Sequence, residues 1–265
     1  MLAASTPYSG VRSVATPRTI VALMLREMVT TYGRSPGGYI WAIVEPVAAI
    51  ALLSFVFSIA FRSPPLGDNF PLFYASAYLP FMLFLDVNNK LATAIKFSRP
   101  LLAYPSVTMV DVLLARFLLN ALTHLMVFLA VIPGIIIAFG LRPNIEILVV
   151  ANALGMAAIL ALGFGALNCY LFTAFPVYER LWQIVTRPLV IVSGIFFLFE
   201  SIPGLYQDVL WYNPIFHITG EMRSGIYASY DANYVDPVFV YGIGLITLAF
   251  GLLILKSRYR EVVND

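Results

Sequence analysis

Long uncharged apolar windows constrain this chain more than any other feature. Crossing hydrocarbon takes about 20 mostly apolar residues at 1.5 Å each, and such runs recur along the sequence. Tyr39–Phe61 contains one charge, Glu45, and Asn69–Leu85 contains none, with Pro80 placed to kink or break a helix. Phe117–Leu141 and Ile147–Tyr178 hold a third and a fourth crossing, and Pro237–Leu255 supplies 19 uncharged residues for a last one. Pro188–Phe199 is only 12 residues long and becomes a span when extended back to Leu181, with Arg187 reaching toward the interface. The composition is 60% hydrophobic and 11% charged, where a soluble domain carries about 25% charge. The expected fold is therefore an all-α integral membrane protein with six transmembrane helices.

The segment between spans five and six has a different character. Two short apolar pieces, Pro188–Phe199 and Val209–Ile218, flank Glu200-Ser-Ile-Pro203-Gly204. Pieces of this length are more often re-entrant or interfacial than spanning, and irregular backbone at that depth needs protein or a watery cavity to satisfy its amides. A re-entrant segment is expected here.

Lysine and arginine set the orientation. With six spans both termini share one side, and that side holds 13 of the 16 basic residues; Arg62, Arg142 and Arg223 fall on the other. The positive-inside rule makes both termini cytoplasmic. Seven of the fourteen acids (Asp68, Glu146, Glu200, Asp208, Glu221, Asp231, Asp236) lie on the far side. Residues 1–38 read as a cytoplasmic N-terminal segment and 39–265 as the membrane domain. No apolar run with a basic flank precedes residue 38, so no cleavable signal peptide is expected. Thr16–Thr31 patterns as an interfacial amphipathic helix, with Ile20, Leu23, Met24, Met28 and Val29 on the apolar face and Arg18, Arg26 and Glu27 toward water. Gly33-Arg-Ser-Pro36 breaks it.

The chemistry that is missing narrows the function. A phosphate cradle needs a glycine-rich loop ending in Gly-Lys-Ser/Thr, but the only lysines are Lys90, Lys96 and Lys256, and none follows a glycine. Any ATP use must come from another subunit. A net charge of +2 gives no reason to expect nucleic acid, and the lone Cys169 excludes an intrachain disulfide and argues against a cysteine metal site. From Asp86 to Arg116 a cytoplasmic segment carries Lys90, Lys96, Arg99, Asp111 and Arg116 and is broken by Pro100 and Pro105. It reads equally as a solvated positive loop or as a docking segment for a partner.

Within the spans, Glu45 precedes Pro46, and His124 lies one helical turn from Asn120. Intramembrane ionisable groups are functional candidates. Their structural alternative is cross-bundle bonding, Glu45 to Arg34 and His124 to a backbone carbonyl. Tyr39, Trp41, Tyr74, Tyr78, Tyr206, Trp211 and Tyr212 fall near span boundaries, as an aromatic belt or as faces for sugar rings. Gly155, Gly163 and Gly165 permit close helix contact in the fourth span.

Met24-Leu-Arg26-Glu27 through Gly33-Arg34, followed by Gly38-Tyr39-Ile-Trp41 and Glu45-Pro46, resembles the N-terminal signature of ABC-2 type permeases that export polysaccharides. Within that group it is most similar to inner-membrane permeases of capsular polysaccharide exporters of Gram-negative bacteria. Phe70-Pro71 with Leu79-Pro80-Phe, Val110-Asp111 with Ala115-Arg116, Ser201-Ile-Pro203, and Trp211-Tyr-Asn213-Pro214 with His217 and Arg223 extend the resemblance in order from about residue 18 to 260. The resemblance implies a homodimer in the bacterial inner membrane, bound to two copies of an ATPase that holds ATP and Mg. It also implies a lipid-linked polysaccharide substrate, a periplasmic adaptor and an outer-membrane conduit. Arg26, Arg34, Tyr39, Trp41, Glu45 and Tyr78 then become candidates for the substrate path. Lys96, Arg99, Tyr104, Asp111 and Arg116 are candidates for the ATPase coupling segment, and Pro203, Trp211, Asn213 and Pro214 for a periplasmic gate. O-antigen or teichoic acid export is the nearest alternative. A proton-coupled carrier using Glu45 and His124 is the alternative from a different class.

Overall fold

The computed structural model describes residues 12–32, 38–102 and 107–258, and among them the regular structure is entirely helical. In chain order the helices are α1 (Arg12–Tyr32), α2 (Ile40–Ala60), α3 (Phe70–Ala92), α4 (Ala94–Leu102), α5 (Met109–Phe139), α6 (Ile147–Ala174), α7 (Pro176–Leu189), α8 (Gly204–Leu210), α9 (Pro214–Ile226) and α10 (Pro237–Ser257). Five stretches are long and apolar enough to cross a membrane: α2, α3 continued by α4, α5, α6 and α10.

Local chemistry explains where most of these helices begin. Asn69 accepts a hydrogen bond from Leu72 N at 2.9 Å, and Pro71 occupies the first turn of α3. Asn213–Pro214 and Asp236–Pro237 repeat the arrangement at α9 and α10. Thr108 and Asp111 form a reciprocal capping box, so α5 starts at Met109, eight residues before the apolar window that marked it in the sequence. Gly140, at φ 62°, ends the same helix in the left-handed conformation. Pro80 does not break α3, which runs on to Ala92 and, after a turn at Thr93, continues as α4.

The expected fifth span departs most from a simple helix. Helix α7 stops at Leu189, and the chain then passes through a 3-10 turn at Ile191–Ser193, Gly194 at φ 71°, and a second 3-10 turn at Phe199–Ser201. Leu181–Phe199 is therefore not one continuous helix. The short α8 and α9 follow.

Helix α3 is the centre of the bundle. It packs against α2, α5, α6 and α9, while α10 lies along α6 and α1 along α5. Phe73, Tyr74, Phe81, Val87 and Leu91 of α3 are essentially inaccessible. In lipid no hydrophobic force drives helices together, so small residues and close packing must do it. Gly163 of α6 faces the Gly244 carbonyl and Thr247 of α10, and a Cβ placed there would collide with both. Gly251 meets the α6 backbone at Ala166–Leu167 in the same way. A Gly163→Leu substitution should lower thermal stability by about 1–3 kcal/mol through overpacking, whereas Gly242→Ala, whose Cβ would meet nothing within 4 Å, should leave it unchanged. Equal melting of the two variants in the same detergent would contradict this packing.

Candidate functional site

The chemistry-bearing residues gather at three levels of the bundle. The first is the end where α3 turns into α4, which carries Lys90, Lys96, Arg99 and Arg116. Arg116 Nε donates to Glu27 Oε1 at 3.0 Å, and the two side chains are only 6% and 5% exposed. The Arg116 guanidinium also lies 4.4 Å from the centroid of the Phe97 ring of α4, and Arg26 of α1 approaches the same ring at 5.6 Å. Asn120 bonds back to the Arg116 carbonyl at 2.8 Å. One buried ion pair and one aromatic ring thus join α1, α4 and α5. Glu27 was expected to face water; it is buried because its partner is buried with it.

A second tie runs from α4 to α7, where Lys96 Nζ meets Glu179 Oε2 at 2.7 Å on a partly exposed surface. Deeper in, Tyr178 donates to Asn168, and Asn168 donates to Asn88, both at 3.0 Å, linking α7, α6 and α3. Asp111 is buried within the capping box of α5 rather than offered at the surface. Arg99 is exposed, and Arg34 and Tyr104 lie outside the described residues.

The second level is a cavity of ≈ 90 Å³ between α2, α3 and α5, lined by Glu45, Tyr78, Asp86, Thr123 and His124 with apolar neighbours. His124 Nε2 lies 3.3 Å from Asp86 Oδ2, so the imidazole meets a carboxylate and not the backbone carbonyl first considered for it. Tyr39 and Thr123 share a hydroxyl–hydroxyl bond at 3.3 Å. Trp41 projects from α2, 54% exposed.

The third level is the broken segment between α7 and α10. Arg223 of α9 is 2% exposed and donates to the carbonyls of Phe197 and Ile195, each at 3.1 Å, with its guanidinium 4.2 Å from the Phe73 ring centroid. Asn213 caps α9 and donates to Val192 O at 2.6 Å, and Thr219 reaches Ser193 O at 3.2 Å. Asp236 N donates to His217 Nδ1 at 3.0 Å, which leaves Nε2 protonated and donating to Trp211 O at 2.7 Å. Trp211 Nε1 in turn donates to Tyr234 O at 3.0 Å. Pro203 precedes α8, Trp211 ends it, and Asn213–Pro214 opens α9, so all four expected gate residues stand at helix boundaries, and the Trp211 ring also packs on Phe239 of α10. Tyr230 donates to Glu200 at 3.0 Å; burial raises its pKa, so the phenol stays a protonated donor.

Residues 18–227 match the model of the ABC-2 type transporter family. The chain belongs to that family. Among relatives of this ABC-2 transporter, the polysialic acid transport protein KpsM of Escherichia coli is 28% identical over 93% of this chain and 96% of its own length. The capsule polysaccharide export inner-membrane protein CtrC of Neisseria meningitidis serogroup B is 27% identical over 92% of each. The O-antigen export system permease protein RfbA of Klebsiella pneumoniae is more distant, 21% identical over 92% of this chain and 94% of its own.

Several groups that organise this ABC-2 transporter escaped the sequence. Asp86 was read as part of a loop, and nothing local tied Glu27 to Arg116, which is 89 positions away. Asn168 sits in an apolar run, and a polar amide in such a run is the signal that would have found it, whereas Asn88 lies between Asp86 and Lys90 and gave no such signal. Arg116→Leu alone should cost about 3–5 kcal/mol by stranding the Glu27 carboxylate, and Glu27→Leu with Arg116→Leu should recover most of it. Denaturant unfolding of the single and double variants checks this; a harmless Arg116→Leu would contradict the buried pair.

Proposed function

We propose that this chain is the membrane-spanning permease subunit of an exporter that moves lipid-linked capsular polysaccharide from the cytoplasm to the periplasm. The observation that carries the reading is likeness over nine-tenths of the chain to differently named proteins of polysialic acid transport and capsule polysaccharide export. The distant likeness to an O-antigen permease keeps that polymer as the nearest substitute.

In this reading the protein works as a homodimer in the bacterial inner membrane with both termini cytoplasmic. Two copies of a separate ATPase bind ATP and Mg, in keeping with the absence of any glycine–lysine phosphate cradle in the sequence. The 13-to-3 division of basic residues supports the orientation. Helix α7 and the irregular chain after it together make the fifth of six crossings, and α8 with α9 dips back from the periplasmic face. The exposed side of α2, with Trp41, Leu52, Phe55 and Ile59, supports its use as a wall facing the second copy. The ATPase pushes on residues 96–111, and the displacement passes through Phe97 and Arg116 into α5 and α1. The path opens between two copies of spans one and five. Arg26 and Arg34 attract the anionic lipid end at the entrance, and Tyr39, Trp41, Glu45 and Tyr78 follow along the path. Pro203, Trp211, Asn213 and Pro214 belong to the exit gate, beyond which a periplasmic adaptor and an outer-membrane conduit continue the route.

Removing the protein from its host should abolish surface polysaccharide and leave polymer inside the cell, and the intact chain should restore export. Phe97→Ala should restore insertion but little export. Full surface polymer in the deletion strain, read by polymer-specific antibody, would contradict the assignment.

A further inference from the structure

Two hollows adjoin along the seam between α2 and α5. The polar one, described above, is bounded by Glu45, Tyr78, Asp86 and His124. The other is an apolar trough of ≈ 350 Å³ whose walls run from Ile43 to Ala51 on α2 and from Ala130 to Phe139 on α5, with Pro71 of α3 at its side. The two share the same turns of α2, because Glu45 and Pro46 of the polar hollow are interleaved with Ile43 and Val47 of the trough. Eight residue steps along α2 and nine along α5 rise about 12–14 Å, close to the roughly 15 Å of hydrocarbon in one leaflet. Glu45 lies five residues past the start of α2, about 7–8 Å inside the helix end.

The charges in the polar hollow do not balance. Asp86 has His124, but Glu45 makes no hydrogen bond or ion pair with any described residue, and its side chain is exposed toward the seam. The Tyr78 hydroxyl is likewise without a hydrogen-bond partner among the described residues. A carboxylate within a membrane span is costly unless a cation or donor meets it. The surroundings supply two carboxylates against one imidazole, so they repel an anionic head and suit a cationic one. The small volume favours a primary ammonium, whose N–H groups donate directly to a carboxylate.

We propose that this seam binds one phospholipid with a primary-ammonium head group. Its ammonium pairs with Glu45, its phosphate accepts a hydrogen bond from Tyr78, and one acyl chain lies in the trough between α2 and α5. The site requires only that α2 and α5 cross the bilayer, and it shares Glu45 and Tyr78 with the proposed path.

The test is lipid retention by the full-length protein. After mild delipidation, the chain is offered phosphatidylethanolamine, phosphatidylglycerol or phosphatidylcholine in mixed micelles, and bound lipid is counted by native mass spectrometry. One phosphatidylethanolamine per chain is expected, held about tenfold more tightly than either other lipid, the scale of a charge-assisted hydrogen bond. Glu45→Gln should erase that preference. Gly134→Leu projects from α5 into the trough, where a Cβ at 134 meets nothing within 4 Å; it should weaken every lipid alike while the fold survives. Equal retention of phosphatidylglycerol, an unchanged preference in Glu45→Gln, or full retention in Gly134→Leu would each overturn the site. A change in self-association with no change in lipid binding in Glu45→Gln would assign the carboxylate to the second copy instead, and would also overturn it.

Discussion

Hydrocarbon offers no hydrogen-bond partner, so every amide and carbonyl released from a helix within the membrane must be met by the protein itself. In the proposed topology the segment between α7 and α10 is where this chain confronts that constraint. Arg223 holds two carbonyls of the bent stretch, Asn213 and Thr219 hold two more at the preceding turn, and the His217 imidazole bridges Trp211 and Asp236. Without those donors the irregular backbone could not lie against α3. A bonded segment of short helices can also rearrange by exchanging a few hydrogen bonds, which a continuous spanning helix cannot do. That property suits the proposed gate.

Helix α5 connects the two ends of the proposed cycle. Arg116 and Asn120 engage α1, and Arg116 also engages Phe97 of α4; within two further turns Thr123 and His124 line the polar hollow against α2 and α3. A push on α4 therefore reaches α1, α5 and the hollow through side chains in direct contact. The Lys96–Glu179 pair is partly exposed and contributes little stability by itself. The buried Glu27–Arg116 pair is the stiffer connection.

Much of the fold was legible because membrane spans announce themselves by length and lack of charge. The windows at Tyr39–Phe61, Asn69–Leu85, Phe117–Leu141, Ile147–Tyr178 and Pro237–Leu255 all became helices of membrane length. Their ends moved where capping intervened: Thr108 and Asp111 extend α5 well below its apolar part. The break after Leu189 was not legible, because the apolar pattern put the interruption at Glu200–Gly204 and let Leu181–Phe199 pass as a span. The buried charges were not legible. An amphipathic pattern assigns every charge to water, and Glu27 obeys that pattern while sitting against Arg116 of a helix far along the chain. His124 was visible as an intramembrane titratable group, yet its partner Asp86 lay just outside the apolar window and looked like part of a loop. The three levels of the site emerge only when distant turns are brought together.

The account stands on this chain being a passage opened by force from a separate ATPase. Co-reconstitution into liposomes with that ATPase, with lipid-linked polymer outside and luminal polymer as the readout, tests it most directly. Polymer should enter only when both proteins and hydrolysable ATP are present, with the ATPase sites facing the polymer, and a proton gradient across liposomes holding this chain alone should move none. Polymer transport by the chain alone on a proton gradient, at a rate matching the ATP-driven one, would contradict the account and return Glu45 and His124 to the role of a proton relay.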